Sequence, residues 1–500
     1  MSSSHAHSEH ALLATAWRTA QRLRFRLDEL LHSPKTWTLA IVLACLWLSL
    51  RVGRRPNPRI LMQLAALGMG LGLLARPVLG LVGLIAAALV VPLQISTGSA
   101  VYLNAATLLV PAMALIWLLD RLFHGGFRVL SSRPNRPLAL FLLSGLLSLL
   151  VGSALWDPAV PWDGDFFLVQ IAQWCVFAFS ALAFWLMGNL VRDERWLRRL
   201  TWTFLLLGGG LAILRMAPGV GRFATRLTTE AFIRAPLWVL LAALAGGQLL
   251  WDEKLTPGRR LYLLLVLGAT LYYAFIQQRE AASNWVGVGG VLGLLLWLRF
   301  PRLRWVALAF LLLLTISGLL WPMIYHFAGG DREWTESGGS RMVLITRVVE
   351  VTLRNPILGL GPAAYRRYAG MEPLAYGMAL WWQPLISSHN NYVDLFSHTG
   401  LVGLGIFLWF MVEVALLGLR LRRRYRSGFA AGYVNGMVGA WAGTMVTMLL
   451  ADWFLPYVYN IGFPGFQASV LVWLFLGGLL AVEHWDMRGG EATKDTNFTN

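Results

Sequence analysis

In an otherwise apolar chain, four ionisable side chains and a pair of amides stand out. Arg279 sits in a very short turn, QQREA (277–281), between two apolar runs. Arg341 opens a long polar segment after ESGGS, Arg347 follows six residues on, and His389 closes the segment in SSHNNYVDLFSHTGLVGLG (387–405). Guanidinium forks bind phosphate oxygens bidentately without a metal. Histidine titrates near neutral pH, as a general base must. A diphosphate-bearing lipid and a hydroxyl awaiting deprotonation would use that combination. Taken singly, Arg279 and Arg341 could merely reach toward lipid headgroups and His389 could merely cap a helix. Grouped on one side of a membrane, the three favour chemistry.

The element that must hold His389 is legible. Asn390 or Asn391 can serve as the N-cap of a helix, leaving His389 just outside its first turn. Gly400 and Gly403 follow roughly three turns on. Small residues at that spacing let helices approach closely, so the glycines read as packing residues that seat the helix carrying His389.

Apolar runs of spanning length recur from Thr36 to Val482 in a chain of 500 residues, 57% hydrophobic and only 13% charged. Mean hydropathy is +0.59. These features predict an all-α fold, a polytopic integral membrane helical bundle. The expected spans are 36–52, 60–75, 77–95, 101–119, 138–155, 166–190, 200–216, 232–250, 261–276, 282–298, 304–324, 392–419, 430–450 and 464–482, about 12–14 in all once short runs are weighed. The net charge of +17 resides in short clusters between these runs rather than in a soluble basic module, which argues against nucleic acid as a partner. The two cysteines, Cys45 and Cys175, lie in apolar segments and imply neither a disulfide framework nor a thiolate metal site. No cleavable signal peptide is evident. Residues 1–10, with His5, His7 and His10, read as a disordered tail. Residues 11–31 place Arg18, Arg22 and Arg26 at four-residue spacing, as in a helix lying on the cytoplasmic membrane surface.

Loop charges orient the bundle. Arg121 to Arg136, Arg192 to Arg199, Lys254 to Arg260, Arg299 to Arg304 and RLRRRYR (420–426) mark cytoplasmic loops. The segments 156–165, 217–231, 277–281, 325–391 and 451–463 then face outward. RVGRRPNPR (51–59) conflicts with this pattern if the first run spans. The expected organisation is a cytoplasmic tail and interfacial helix (1–35), a first part of the bundle (36–324), an outer helical cap (325–391), the last part of the bundle (392–482) and a cytoplasmic tail (483–500). Trp381 and Trp382 within the cap suit a membrane interface.

Other constellations are weaker. Asp157, Asp163 and Asp165 could form a metal or general-base site, but read better as solvated loop charges. Asp452 and Tyr457 occupy another outer loop and could reach the same cavity. There is no Walker loop, HExxH, G-x-S-x-G or CxxC, and GVGGVLG (287–293) lies inside an expected span.

These residues resemble the bacterial O-antigen ligase and O-antigen polymerase superfamily. His389, Asn390, the nine residues NYVDLFSHT and then Gly400-Leu-Val-Gly403 match its hallmark of His-Asn, nine residues and Gly-x-x-Gly. SRMVLITRVVEVTLRNPILGLGPAAY (340–365) is similar to its Ser-Arg start and NPxxGxG stretch, and Arg279 to its earlier arginine, although Gln278 and Glu280 replace the usual small neighbours. The resemblance covers roughly 261–405. It implies a membrane-type (GT-C-like), inverting, metal-independent glycosyltransferase with no cofactor, a lateral opening for a lipid donor and a cap over an outer site. It also implies an undecaprenyl-diphosphate-linked glycan donor, residence in the bacterial cytoplasmic membrane and a site facing the periplasm or exterior.

On this reading Arg279, Arg341 and Arg347 hold the donor diphosphate, His389 is the catalytic base, and Asn390, Asn391, Gly400 and Gly403 support the site. A ligase moves the glycan to lipid A-core, a polymerase to another lipid-linked repeat, and a further relative to a protein hydroxyl. The complete histidine pattern favours the ligase. A flippase for the same lipid is the rival from another class. The chain shows no convincing paired repeat of the kind transporters carry, and a one-sided cluster suits bond formation better than alternating access.

Overall fold

The computed structural model describes residues 76–97, 101–124, 130–328, 330–333, 339–371, 374–376, 379–381 and 388–495. The expected tail, surface helix and first two spans, with the 51–59 stretch, lie outside the described residues, as do the side chains of Trp381 and Trp382.

Helix α1 (Val78–Val90) leads through a two-stranded hairpin, β1 (Gln94–Ser96) and β2 (Tyr102–Asn104), into α2 (Ala105–His124). Next come α3 (Asn135–Ala154), α4 (Phe166–Leu190) and α5 (Glu194–Met216), followed by the short α6 (Gly221–Arg226) and by α7 (Ala235–Trp251). Helices α8 (Pro257–Gln277), α9 (Ala282–Arg299), α10 (Leu303–Ile316) and α11 (Leu320–Phe327) precede the cap segment. That segment holds α12 (Gly339–Thr352), α13 (Tyr365–Ala369) and a second hairpin, β3 (Leu374–Tyr376) with β4 (Ala379–Trp381). Three long helices end the chain: α14 (Asn391–Arg424), α15 (Gly428–Thr447) and α16 (Gly462–Asp495).

The chain is thus an all-α polytopic membrane protein. Among the described residues seven helices are long and apolar enough to cross a membrane, or eight if the bent pair α10–α11 is one span. Every expected span from residue 77 onward coincides with a helix, although α1 and α7 are shorter apolar helices. Three details depart from the sequence reading. The 304–324 run is broken by a 90° bend, at Gly318 with φ +73°, so α11 turns away from α10. The cap segment carries a β-hairpin besides its helices. Finally, α16 continues past residue 482 to Asp495.

Local chemistry starts several of these helices cleanly. Asp193 caps α5 by accepting the Trp196 N–H, and Thr256 caps α8 ahead of Pro257, which fits the first helical turn. In the bundle centre the apolar window of α16 is wholly buried. Lipid chains are as apolar as leucine, so close contact between backbones drives such packing. Between α7 and α15 a Cβ on Gly436 would lie 2.7 Å from the Ala243 carbonyl oxygen, which is why glycine stands there.

Loops assigned to opposite sides by charge gather at opposite ends of the bundle. At one end Arg354 pairs with Asp157 at 3.0 Å, Arg367 with Asp163 at 2.5 Å, and the Arg341 Nη1 donates to the Leu450 carbonyl at 3.1 Å. At the other, Arg420 pairs with Glu483 at 3.3 Å, Arg422 donates to the Leu298 carbonyl at 3.2 Å, and Ser132 donates to Glu483 at 2.6 Å.

Candidate active site

The start of α14 is fastened to the loop between α15 and α16. Asn390 is the N-cap: its side-chain oxygen accepts from the N–H groups of Tyr392 and Val393, at 3.0 and 3.2 Å, while its amide donates to the Leu449 carbonyl. Buried Asn391 clamps the same loop, donating to Leu455 O at 2.8 Å and accepting from Phe454 N and Leu455 N. Both asparagines therefore act on the tertiary structure as well as on the helix start.

His389 immediately precedes this cap at φ +53°, a left-handed conformation that costs a non-glycine residue on the order of 1–2 kcal/mol. Its Nδ1 lies 3.5 Å from Oδ1 of Asp452, whose side chain is fully buried while the imidazole is 28% exposed. Asn460 donates to the other Asp452 oxygen at 2.8 Å and lies 3.5 Å from His389 Nδ1. Burial pushes the Asp452 carboxyl up, but His389 and the Asn460 amide more than offset this and hold it below the ordinary carboxylate range. With Nδ1 turned to Asp452, Nε2 is the ring nitrogen left for a substrate.

His389 and Arg341 line one cavity of about 370 Å³, together with Ser388, Trp285 of α9, Trp321 of α11 and Leu450. One of the five guanidinium N–H donors of Arg341 is spent on the Leu450 carbonyl. That bond fixes the side chain to the loop that bears Asp452. The other expected arginines stand elsewhere. Arg279 is exposed on the turn before α9; its backbone carbonyl accepts from the Trp285 indole at 2.9 Å, and its side chain is not among the groups lining the cavity. Arg347 lies on a different face of α12 from Arg341, 3.6 Å from Glu350 and beside the Tyr365 phenol. Thus His389 and Arg341 are brought together, Arg279 stands near the cavity's α9 wall, and Arg347 is not among the residues that line the cavity.

Gly400 has a role other than seating one helix on another. Its φ of +66° and ψ of −171° interrupt α14, and the NPILGLG stretch fills the break. Leu360 N donates to Ser397 O, Leu401 N to Pro356 O and Val402 N to Ile357 O, at 2.9, 2.9 and 3.1 Å. A Cβ on Gly400 would collide with the Ile357 carbonyl, and one on Gly359 would lie 2.5 Å from the Gly400 nitrogen. The two glycine motifs are therefore halves of one joint. Gly403 sits one turn on, where a Cβ would collide with the Thr399 side chain.

Three further groups without a sequence signature support the site. Ser388 donates to Asp394 Oδ1 through both its N–H, at 3.1 Å, and its hydroxyl, at 2.8 Å, which holds the chain just before His389. Buried His398 accepts the Ala363 N–H on Nδ1 at 3.0 Å and helps tie the NPILGLG stretch to α14. Asn460 is an unremarkable loop amide until the fold sets it beside His389. Asp452, expected in an outer loop within reach of this cavity, is the residue that faces His389, a pairing that spacing alone does not indicate. Asp157 and Asp163, for which a metal or base role was conceivable, are ion-paired to Arg354 and Arg367 and pin the 156–165 loop to the cap segment.

No curated protein matches this chain. Residues 263–408 match the family model described as O-Antigen ligase. The match takes in Arg279, Arg341, His389 and Gly400 but stops short of Asp452 and Asn460, so the carboxylate behind the histidine comes from outside it. With the polytopic helical bundle, this match makes residues 263–408 similar to the O-antigen ligase family and supports a glycosyltransferase-type membrane protein.

Proposed function

We propose that the protein transfers a glycan from an undecaprenyl-diphosphate-linked donor to an acceptor hydroxyl at the outer face of the bacterial cytoplasmic membrane, with an O-antigen ligase-like acceptor. The observation that carries this reading is the sharing of one largely apolar-walled cavity by Arg341 and His389, with Asp452 buried behind the histidine. The cavity lies at the end of the bundle opposite the basic clusters, which supports an outward-facing site.

His389 Nε2 removes the proton from the acceptor hydroxyl, and the resulting oxygen attacks the anomeric carbon of the donor sugar. The bond from that carbon to the diphosphate oxygen breaks, the configuration inverts, and undecaprenyl diphosphate leaves with the bonding electron pair. Arg341 stabilises the charge that grows on the diphosphate, with Arg279 and Arg347 as more distant contributors to the local positive field. Asp452 holds the imidazole in orientation through Nδ1, which leaves Nε2 toward the acceptor. Tryptophans and aliphatic side chains suit the polyprenyl chain.

The experiment is transfer by purified protein in detergent, from a lipid-linked glycan to lipid A-core, to a second lipid-linked repeat, or to a protein acceptor. A glycan-bearing acceptor with release of undecaprenyl diphosphate is expected, lost in His389→Ala. Translocation in sealed vesicles with no new bond would instead identify a flippase.

A further inference from the structure

Asn460 stands between two cavities. It contacts His389 and Asp452 on one side, and it also lines a second cavity of about 260 Å³, formed with Tyr102, Arg366, Tyr459 and the turn at Gly462. The walls of the two differ in chemistry. Around Arg341 they are mostly apolar, with tryptophan, leucine, isoleucine, valine, methionine and alanine side chains fit for a hydrocarbon chain. The second offers phenol rings, an amide and a guanidinium. Aromatic faces with polar edges suit a sugar ring, and a guanidinium suits an anionic oxygen.

The arginines around α13 point the same way. Arg354 and Arg367 are each paired with an aspartate, Asp157 and Asp163. Among the described residues Arg366 has instead an aromatic partner: its guanidinium carbon lies 4.5 Å from the Tyr459 ring centroid. Stacking on a ring fixes the plane of the guanidinium while leaving its edge to bond.

We propose that this second cavity is the acceptor subsite and takes a sugar that carries an anionic group, held by Arg366 over Tyr459 with Asn460 at the boundary to His389. The proposal rests on the transferase reading above. It gives the base a substrate on each side, the donor lipid in the apolar-walled cavity and the acceptor glycan in the other.

Two measurements on the intact protein in detergent test it. The first is direct binding of glucose 6-phosphate, glucuronate and glucose to wild type, Arg366→Ala and Arg366→Lys. The second is transfer kinetics with a phosphorylated acceptor glycolipid, its phosphatase-treated form and a uronate-bearing one. Binding of at least one anionic sugar should exceed that of glucose and fall about tenfold in Arg366→Ala, with Arg366→Lys between. The phosphate and uronate arms identify the anion. In transfer, Arg366→Ala should raise the acceptor KM about tenfold and leave the donor KM unchanged. Equal binding of charged and neutral sugars, binding indifferent to Arg366, or a shift in donor KM instead would each overturn the subsite. Arg366-dependent binding without transfer by wild type to any acceptor would leave an anionic-sugar site and overturn the transferase reading. Arg366→Lys keeps the charge, so a folding defect common to both variants is separated from loss of the anion contact.

Discussion

The Nδ1 of His389 faces Oδ1 of Asp452 at 3.5 Å across 63 residues of sequence, and the carboxylate has no exposure to solvent. A buried charge that costly is retained where it acts on a neighbour. Here it orients an imidazole through Nδ1.

His389→Ala should therefore lower kcat by about 10²–10⁴-fold, the usual contribution of a general base. Asp452→Asn should fall within the same range but short of His389→Ala, because the imidazole remains. Steady-state transfer assays with saturating donor measure both. Normal turnover in Asp452→Asn would remove the pair from the mechanism.

Asp452 also leaves a mark on acid stability. A carboxyl held below its ordinary value of 3.8 favours the folded protein at every pH above that value. The contribution disappears as pH falls from 3.8 through the lower folded value. Asp452→Asn should be less stable than wild type near neutrality, and the difference should shrink below about pH 4. Thermal midpoints across a pH series would show it.

Arg341→Ala should cost about 1.5–3 kcal/mol of transition-state stabilisation, roughly 10- to 150-fold in kcat/KM for the donor. Arg341→Lys should recover part of this, since an ammonium keeps the charge but not the fork. Arg279→Ala, at an exposed position, should cost less than about 1 kcal/mol. An equal loss at both positions would show that Arg279 swings into the cavity on binding.

Gly400→Ala should destabilise the protein by about 2 kcal/mol or more, because a methyl group must both accept a φ of +66° and displace the Ile357 carbonyl. Gly405→Ala, five residues along the same helix in open space, should be neutral or slightly stabilising. Unfolding in detergent separates the two.

Asp157→Asn and Asp163→Asn should each change stability by less than about 1 kcal/mol and leave turnover intact, since half-exposed ion pairs contribute little. Loss of turnover with either would revive a chemical role for the 156–165 loop.

Hydropathy and loop charge suffice for the helical bundle and for which loops share an end. Both are local: each run of twenty apolar residues must be helical in lipid whatever its neighbours do, and each basic cluster biases its own loop. For the same reason a cap at Asn390 or Asn391 was readable, and Arg279, Arg341 and His389 stood out as a group of polar outliers, of which the fold brings Arg341 and His389 to one cavity. The pairing of His389 with Asp452 and Asn460 was not readable, because a loop aspartate and a loop asparagine look alike whether solvated or buried. Only the packing of α14 against α15 and α16 removes water from Asp452 and sets it against the histidine. Nor could spacing show that Gly400 breaks its helix to admit residues 356–360: the freed N–H and carbonyl groups must find partners, and those partners come from a segment some forty residues upstream.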